Sequence, residues 1–218
     1  MVLALDLLDP AWWINTVGLF GLFLVIFAES GLLFGFFLPG DSLLFTAGMV
    51  AAGVFSGTEI GKDVDFNIWV LVIGCFVAAV AGDQVGYLFG RRVGRALFRR
   101  PDSRLFKREH LEKAEGFFAH YGPKAIILAR FVPIVRTFCP IVAGASSMHY
   151  ATFVRFNVIG GLLWGVGVTL LGYFFGQIDV IEHNFEYAIL TVIVVSTLPI
   201  VIEVLRHRRR QSKVDAEV

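Results

Sequence analysis

Apolar residues gather into six stretches along the chain, at 12–28, 31–55, 66–89, 125–145, 151–176 and 186–205. A helix that spans the hydrocarbon core of a bilayer needs about 20 mostly apolar residues, so these stretches have the length scale of membrane helices. Two of them are not uniform. The second is interrupted by Pro39-Gly40-Asp41, and the fourth carries Arg130, Pro133, Arg136 and Pro140. An arginine at mid-depth costs about 2.5–3.5 kcal/mol on insertion scales, and proline removes a backbone donor and interrupts a helix. The pattern therefore predicts an all-α, polytopic membrane protein in which the second and fourth stretches re-enter rather than cross. Such backbone is tolerated where protein or a water-filled cavity covers it.

Composition agrees: 56% of the 218 residues are hydrophobic and the mean hydropathy is +0.73, more apolar surface than a soluble domain of this size can hide. The distribution of charge adds a topology. Lys62 is the sole cation before Arg91, whereas 91–113 and the tail from Arg206 to Lys213 are densely basic. If all six stretches crossed, three crossings would separate the two basic clusters and one would face outside, against the positive-inside rule. A re-entrant fourth stretch puts both in the cytoplasm. Glu59, Asp63 and Asp65 outnumber Lys62 in the 56–67 loop, which suits the outer face, and a second stretch re-entering from outside then places both termini in the cytoplasm. Both basic clusters abut apolar segments, so topology accounts for them and nucleic acid is not an expected partner. Asp6 and Asp9, with no cation, speak against a cleaved signal peptide.

An internal repeat reinforces this layout. Ile73-Gly74 is followed by Gly86-Tyr87-Leu88-Phe89-Gly90, and Ile159-Gly160, at the same spacing, by Gly172-Tyr173-Phe174-Phe175-Gly176; Ala47-Gly48 and Ala143-Gly144 precede the two helices. In the topology above those helices run in opposite directions, which makes the repeat inverted, the arrangement of many secondary transporters. The single membrane domain, 1–218, then divides into a first half at 11–90 with a re-entrant segment at about 29–55, and a basic cytoplasmic loop with an amphipathic helix at 91–122. A second half follows at 123–176 with a re-entrant segment at about 123–146, then a last transmembrane helix at 186–205 and a basic tail at 206–218. Within the loop, 103–121 sets Phe106, Leu111, Phe117 and Phe118 against Lys107, Arg108, Glu112 and Lys113, as expected of a helix lying on the cytoplasmic leaflet.

The candidate chemistry is ionic. Glu29 stands between two apolar runs, and an acid at membrane depth is a candidate proton site; a hydrogen bond at a helix end is the simpler alternative. Asp41 follows the Pro39-Gly40 turn and suits either a proton role or the N-cap of a helix starting near Ser42. Arg130 and Arg136, six residues apart with Pro133 between them, can converge on one anion if the helix is broken, and the guanidinium fork suits phosphate. At rest they would pair with Glu29 and Asp41, two acids balancing two bases. Asp83, whose repeat counterpart is Thr169, is expected to support helix packing. Arg155 and His149 are expected near the cytoplasmic interface, and Trp12, Trp13 and Trp69 at interfaces. Cys75 and Cys139 lie in apolar runs, where no disulfide is expected, and the five histidines show no metal spacing, so neither metal nor cofactor is expected.

At these residues the chain resembles the DedA family, also called the SNARE-associated or VTT family. The matching pieces are Glu29 with Phe37-Leu38-Pro39-Gly40-Asp41-Ser42-Leu43-Leu44, Gly82-Asp83 with Gly86-Tyr87, and Ala129-Arg130-Phe131-Val132-Pro133-Ile134-Val135-Arg136-Thr137-Phe138 through Ala143-Gly144. The resemblance is closest to the subgroup that gives the family its name, including Asn157-Val158-Ile159-Gly160 and Arg206-His207. It implies two opposed re-entrant segments, re-entrant turns at Pro39, Gly40, Pro133 and Pro140, an essential acidic pair at Glu29 and Asp41, and an essential pair at Arg130 and Arg136. It also implies transport of lipid-linked phosphates such as undecaprenyl phosphate across the bacterial inner membrane, dependent on the proton-motive force and serving membrane homeostasis. The expected partners are membrane lipids, an anionic lipid phosphate among them, and protons. Two other readings stay open at this point: a gradient-independent phospholipid scramblase, and a scaffold without transport. An intramembrane phosphatase with His149 as nucleophile lacks a second suitably placed histidine and an acid partner, so an enzyme is not expected.

The charge distribution makes a direct prediction. With Cys75 and Cys139 replaced, single cysteines at Arg100 and Ser212 are expected to resist an impermeant thiol reagent on intact cells, and one at Asp63 to react. Outside labelling at 100 or 212 overturns the topology.

Overall fold

A computed structural model of the chain describes residues 10–32, 40–54, 66–94, 118, 121–146 and 148–178. All regular structure among them is helical, as the hydropathy pattern predicts. Most of the loop at 56–67, nearly all of the expected amphipathic helix, the last expected span at 186–205 and the tail lie outside the described residues.

Helix α1, Pro10–Gly31, is kinked at Gly18, whose φ of 60° and ψ of −157° are available to glycine but strained for other residues. The segment Gly18–Gly31 rises about 1.5 Å per residue, roughly 21 Å in all and short of the ~30 Å core. The first apolar stretch thus forms a helix that is bent at Gly18. Helix α2, Gly40–Ala51, carries Asp41 in its first turn. The helix begins ahead of Asp41, so the capping role considered for Asp41 does not hold. Helix α3, Ile68–Phe89, is capped by Asn67, whose side chain accepts from the N–H of Trp69 at 3.0 Å and of Val70 at 3.4 Å. It continues through a π-helical turn, Gly90–Gly94.

The fourth stretch is divided. A 3₁₀ turn, Gly122–Lys124, leads into the short helix α4, Ala125–Ala129. The chain then turns through residues 130–132, with Val132 extended, and α5 runs Pro133–Ala145. Pro133 opens α5, where its missing N–H costs nothing. Pro140, however, lies inside α5; it makes no re-entrant turn, and that expectation is corrected. Helix α6, Tyr150–Gly161, passes through a π-helical turn, Leu162–Val166, into α7, Gly167–Gly176.

Among the described residues, two helices are long and apolar enough to cross a membrane, Ile68–Val93 with 26 residues and Tyr150–Gly176 with 27. Their outer faces are apolar and open: Ile73 is 61% exposed, Leu163 55% and Phe174 59%. Rows of this kind suit lipid as the solvent. The interior holds two apolar clusters. One gathers Leu22, Ile26, Leu44, Met49, Leu71 and Trp164 between α1, α2, α3 and the α6–α7 span. The other surrounds Tyr87, whose ring stacks on Phe153 at 4.4 Å and whose hydroxyl donates to the Met148 carbonyl at 2.6 Å.

Helices α2 and α5 each pack on the long helix of the other half. On α2, Gly48 lies against the backbone of Thr169 and Tyr173, while Gly172 of α7 lies against Phe45. On α5, Gly144 lies against the backbone of Tyr87 and Arg91, while Gly86 of α3 faces Pro140 and Ile141. These positions are the equivalents of one another in the sequence repeat. At Gly48, Gly144 and Gly172 a Cβ would collide with opposing backbone, and at Gly86 it would press on Pro140, so the absence of a side chain permits the close approach.

Substitution at these contacts should lower stability. Gly48→Val and Gly144→Val are each expected to cost about 1–3 kcal/mol through overpacking, read as a lower thermal midpoint of the detergent-purified protein. Gly167, with open space where its Cβ would sit, is the control: Gly167→Ala should leave the midpoint unchanged or raise it.

Candidate functional site

Three helix ends meet inside the molecule and bring charge with them. Glu29 lies near the C-terminal end of α1, Asp41 in the first turn of α2, and Arg136 in the first turn of α5, where its backbone N–H bonds the Val132 carbonyl at 2.9 Å. Arg136 Nη1 donates to Asp41 Oδ1 at 2.7 Å and Nη2 pairs with Glu29 Oε1. One guanidinium thus takes one carboxylate on each terminal nitrogen. Glu29 is wholly enclosed and Arg136 nearly so, while the Asp41 side chain is 31% exposed. The cluster therefore opens outward at Asp41.

The fit around Glu29 explains the glycine before Asp41. The second carboxylate oxygen of Glu29 occupies the position where a Cβ on Gly40 would stand. Among the described residues this oxygen has no hydrogen-bond partner, and neither has Arg136 Nε. Any side chain at position 40 would displace the carboxylate from its place beside Arg136. Gly31 and Gly82 meet backbone to backbone in the same region, and this contact holds α1 against α3 at the level of Glu29.

Trp164, in the π-helical turn between α6 and α7, closes the cluster. Its indole N–H donates to Asp41 Oδ1 at 2.7 Å, and the Arg136 guanidinium carbon lies 4.8 Å from its ring centroid. The indole can only donate, and its face attracts a cation, so one side chain serves both members of the ion pair.

Arg130 does not join this cluster. It follows α4 at the chain turn, buried, and Nη2 pairs with Asp83 Oδ2, bonds Asn157 Oδ1 at 2.5 Å and reaches the Ala79 carbonyl at 3.5 Å. Asn157 in turn donates to the Val80 carbonyl at 3.2 Å. Gly160 leaves room for the arginine stem: a Cβ there would stand 2.8 Å from Arg130 Cδ. The expectation that both arginines share Glu29 and Asp41 is therefore corrected, because Asp83 and Asn157 engage Arg130. The charges divide as two carboxylates with one guanidinium around Arg136, and one with one around Arg130.

Of the candidate residues, Glu29, Asp41 and Arg136 come together, and Arg130 joins Asp83. The side chain of Pro133 and all of Pro39 lie outside the description. Sequence reasoning missed Trp164 and gave Asn157 no chemical role. A signal for Trp164 was present, since a tryptophan in the middle of an apolar span, far from either interface, is misplaced for an anchor. Cys75 and Cys139 are buried and free, as expected of small apolar fillers. Arg155 and His149 are exposed.

The geometry can now be set beside known proteins. Residues 38–174 match the VTT domain family. Protein DedA of Escherichia coli K12 is 47% identical over 192 residues, covering 88% of this chain and 84% of DedA. An uncharacterized membrane protein of Mycobacterium tuberculosis H37Rv is 44% identical over 214 residues, covering 95% of this chain and 90% of its own length. The inner membrane protein YqjA of Escherichia coli K12 is 35% identical over 161 residues, 74% of this chain and 69% of YqjA. No solved structure is significantly similar to the chain. With a family match over most of its length and relatives at 35–47% identity over most of the chain, the chain belongs to the VTT domain family, the DedA family of membrane proteins.

Proposed function

We propose that this membrane protein moves a lipid-linked phosphate, such as undecaprenyl phosphate, across the bacterial cytoplasmic (inner) membrane, driven by the proton-motive force and in support of membrane and envelope homeostasis. The observation that carries the proposal is the Arg136 fork, buried among apolar helices and held by one carboxylate on each terminal nitrogen. A guanidinium fork recognises planar oxyanions, carboxylate and phosphate alike. Its two acids exceed its one base, and a surplus buried carboxylate is neutralised by taking up a proton. Proton uptake at Glu29 or Asp41 loosens the hold on Arg136, which then receives the lipid phosphate; release of the phosphate lets the carboxylates close again. Asp41 is the reachable member and exchanges its proton first, while enclosed Glu29 sets the resting pairing.

The proposed topology has 29–55 and 123–146 as opposed re-entrant segments of an inverted repeat, with both termini and the 91–122 region in the cytoplasm. The equivalent glycine contacts that seat α2 on α7 and α5 on α3 support it. The proposal is for transport without catalysis: the cluster offers binding and proton exchange, with membrane lipids and protons as partners. A passive scramblase needs only a polar groove. The specific two-to-one matching of charge at Arg136 favours a coupled device over it and over a scaffold.

Two substitutions test the site in liposomes with a labelled polyprenyl phosphate, with and without a pH gradient. Arg136→Lys keeps the charge but replaces the fork by a point charge that cannot hold both acids in one plane; transport is expected to fall at least about tenfold at equal protein. Normal transport would mean that the site needs only positive charge. Glu29→Gln is expected to abolish the response to the gradient while slow exchange persists. Full gradient dependence in this variant would remove Glu29 as the coupling group and leave Asp41.

A further inference from the structure

Trp164 is the one member of the Arg136 cluster that carries no charge, and its position is informative. Two donors, Arg136 Nη1 and Trp164 Nε1, converge on a single oxygen, Asp41 Oδ1, each at 2.7 Å. The acceptor belongs to the most exposed side chain of the cluster, at 31%, whereas Trp164 is 3% exposed and Arg136 8%. The donors are therefore built in and the acceptor sits at the opening. The ring face lies 4.8 Å from the guanidinium carbon, and Arg136 Nη2 pairs with Glu29, so both donors have contacts that do not involve Asp41. Convergent, fixed donors aimed at one oxygen, covered by an exchangeable carboxylate, form an oxyanion site occupied by an internal stand-in.

We propose that Trp164 is a ligand-binding residue: when Asp41 withdraws, its indole N–H and Arg136 Nη1 together bind one anionic oxygen of a phosphate group, and the Asp41 carboxylate occupies that oxygen's place at rest. The inference rests on the transport reading for its ligand class, and it adds a donor and an internal competitor to that reading. A phosphate monoester on a lipid and free inorganic phosphate present the same oxygens. The site opens among apolar helices, which favours the lipid form. The repeat offers no second copy of this donor: the residue equivalent to Trp164 is Ala78 on α3, so the site is single and asymmetric.

The test uses the full chain in nanodiscs, with radiolabelled farnesyl phosphate as probe, farnesol as the uncharged control and inorganic phosphate as competitor. Trp164→Phe keeps an aromatic face and removes the N–H. Because a hydrogen bond to a charged group is lost, farnesyl phosphate affinity is expected to fall about tenfold with farnesol binding unchanged. A purely structural role for Trp164 would weaken both equally or neither, and either result overturns the proposal. Competition by millimolar inorganic phosphate would identify free phosphate as a ligand of the same donors; no competition assigns the site to the lipid form. A second measurement keeps Trp164 itself in place. With Trp12, Trp13 and Trp69 replaced by Phe, Trp164 is the sole tryptophan, and saturation with farnesyl phosphate should shift its emission, a shift absent in Arg136→Ala. No shift on saturation overturns the proposal while leaving transport at Arg136 standing. Failure of the wild-type protein to bind farnesyl phosphate or inorganic phosphate at all overturns both.

Discussion

A guanidinium cannot sit alone among apolar helices. Taking it out of water costs several kcal/mol even after relaxation, and the cost is offset only by well-placed counter-charge and hydrogen bonds. Arg136 meets that demand by drawing together segments that are distant in sequence: the end of α1 through Glu29, the start of α2 through Asp41, and the turn between α6 and α7 through Trp164. Arg130 does the same for α3 and α6 through Asp83 and Asn157. The apolar clusters and glycine contacts give the helices their separation, and the two arginines decide which faces must meet.

Much of this was legible in the sequence, because charge and proline inside apolar stretches are rare and each has few physical explanations. The break in the fourth stretch follows from Arg130 and Pro133, and the glycine before Asp41 follows once Glu29 needs space. What the sequence could not assign was partnership. Six-residue spacing on a broken helix gives no direction for either side chain, so four charged residues were grouped as one balanced set. Asp83, whose repeat counterpart is Thr169, reads as a supporting residue between helices, and that asymmetry is what supplies Arg130 with a carboxylate of its own. Pro140 misled for a different reason: a proline within a helix is tolerated when packing against a neighbour holds the backbone, and here it faces Gly86 of α3. The kink at Gly18 had no sequence signal, since glycine is common in membrane helices of every shape.

The two halves exchange helices in their packing. Helices α2 and α5 each find a notch on the long helix of the opposite half, at glycines. The polar residues do not follow the repeat. Trp164 stands opposite Ala78, Asp83 opposite Thr169 and Asn157 opposite Leu71. A symmetric frame of small residues thus carries an asymmetric set of polar groups, which separates the part of the sequence that holds the helices from the part that does chemistry.

Exchange between halves also sets a schedule for biosynthesis. Arg136 follows Asp41 by 95 residues, and Trp164 follows it by 123. At a synthesis rate of roughly 5–20 residues per second, α2 waits on the order of ten seconds for the arginine, the indole and the helix it packs on. During that interval Glu29 and Asp41 have no native counter-charge, and the glycine face of α2 has no native neighbour. The first half cannot complete its own packing as it leaves the ribosome. Burial of the two acids beside their native counter-charge is therefore coupled to the arrival of the second half.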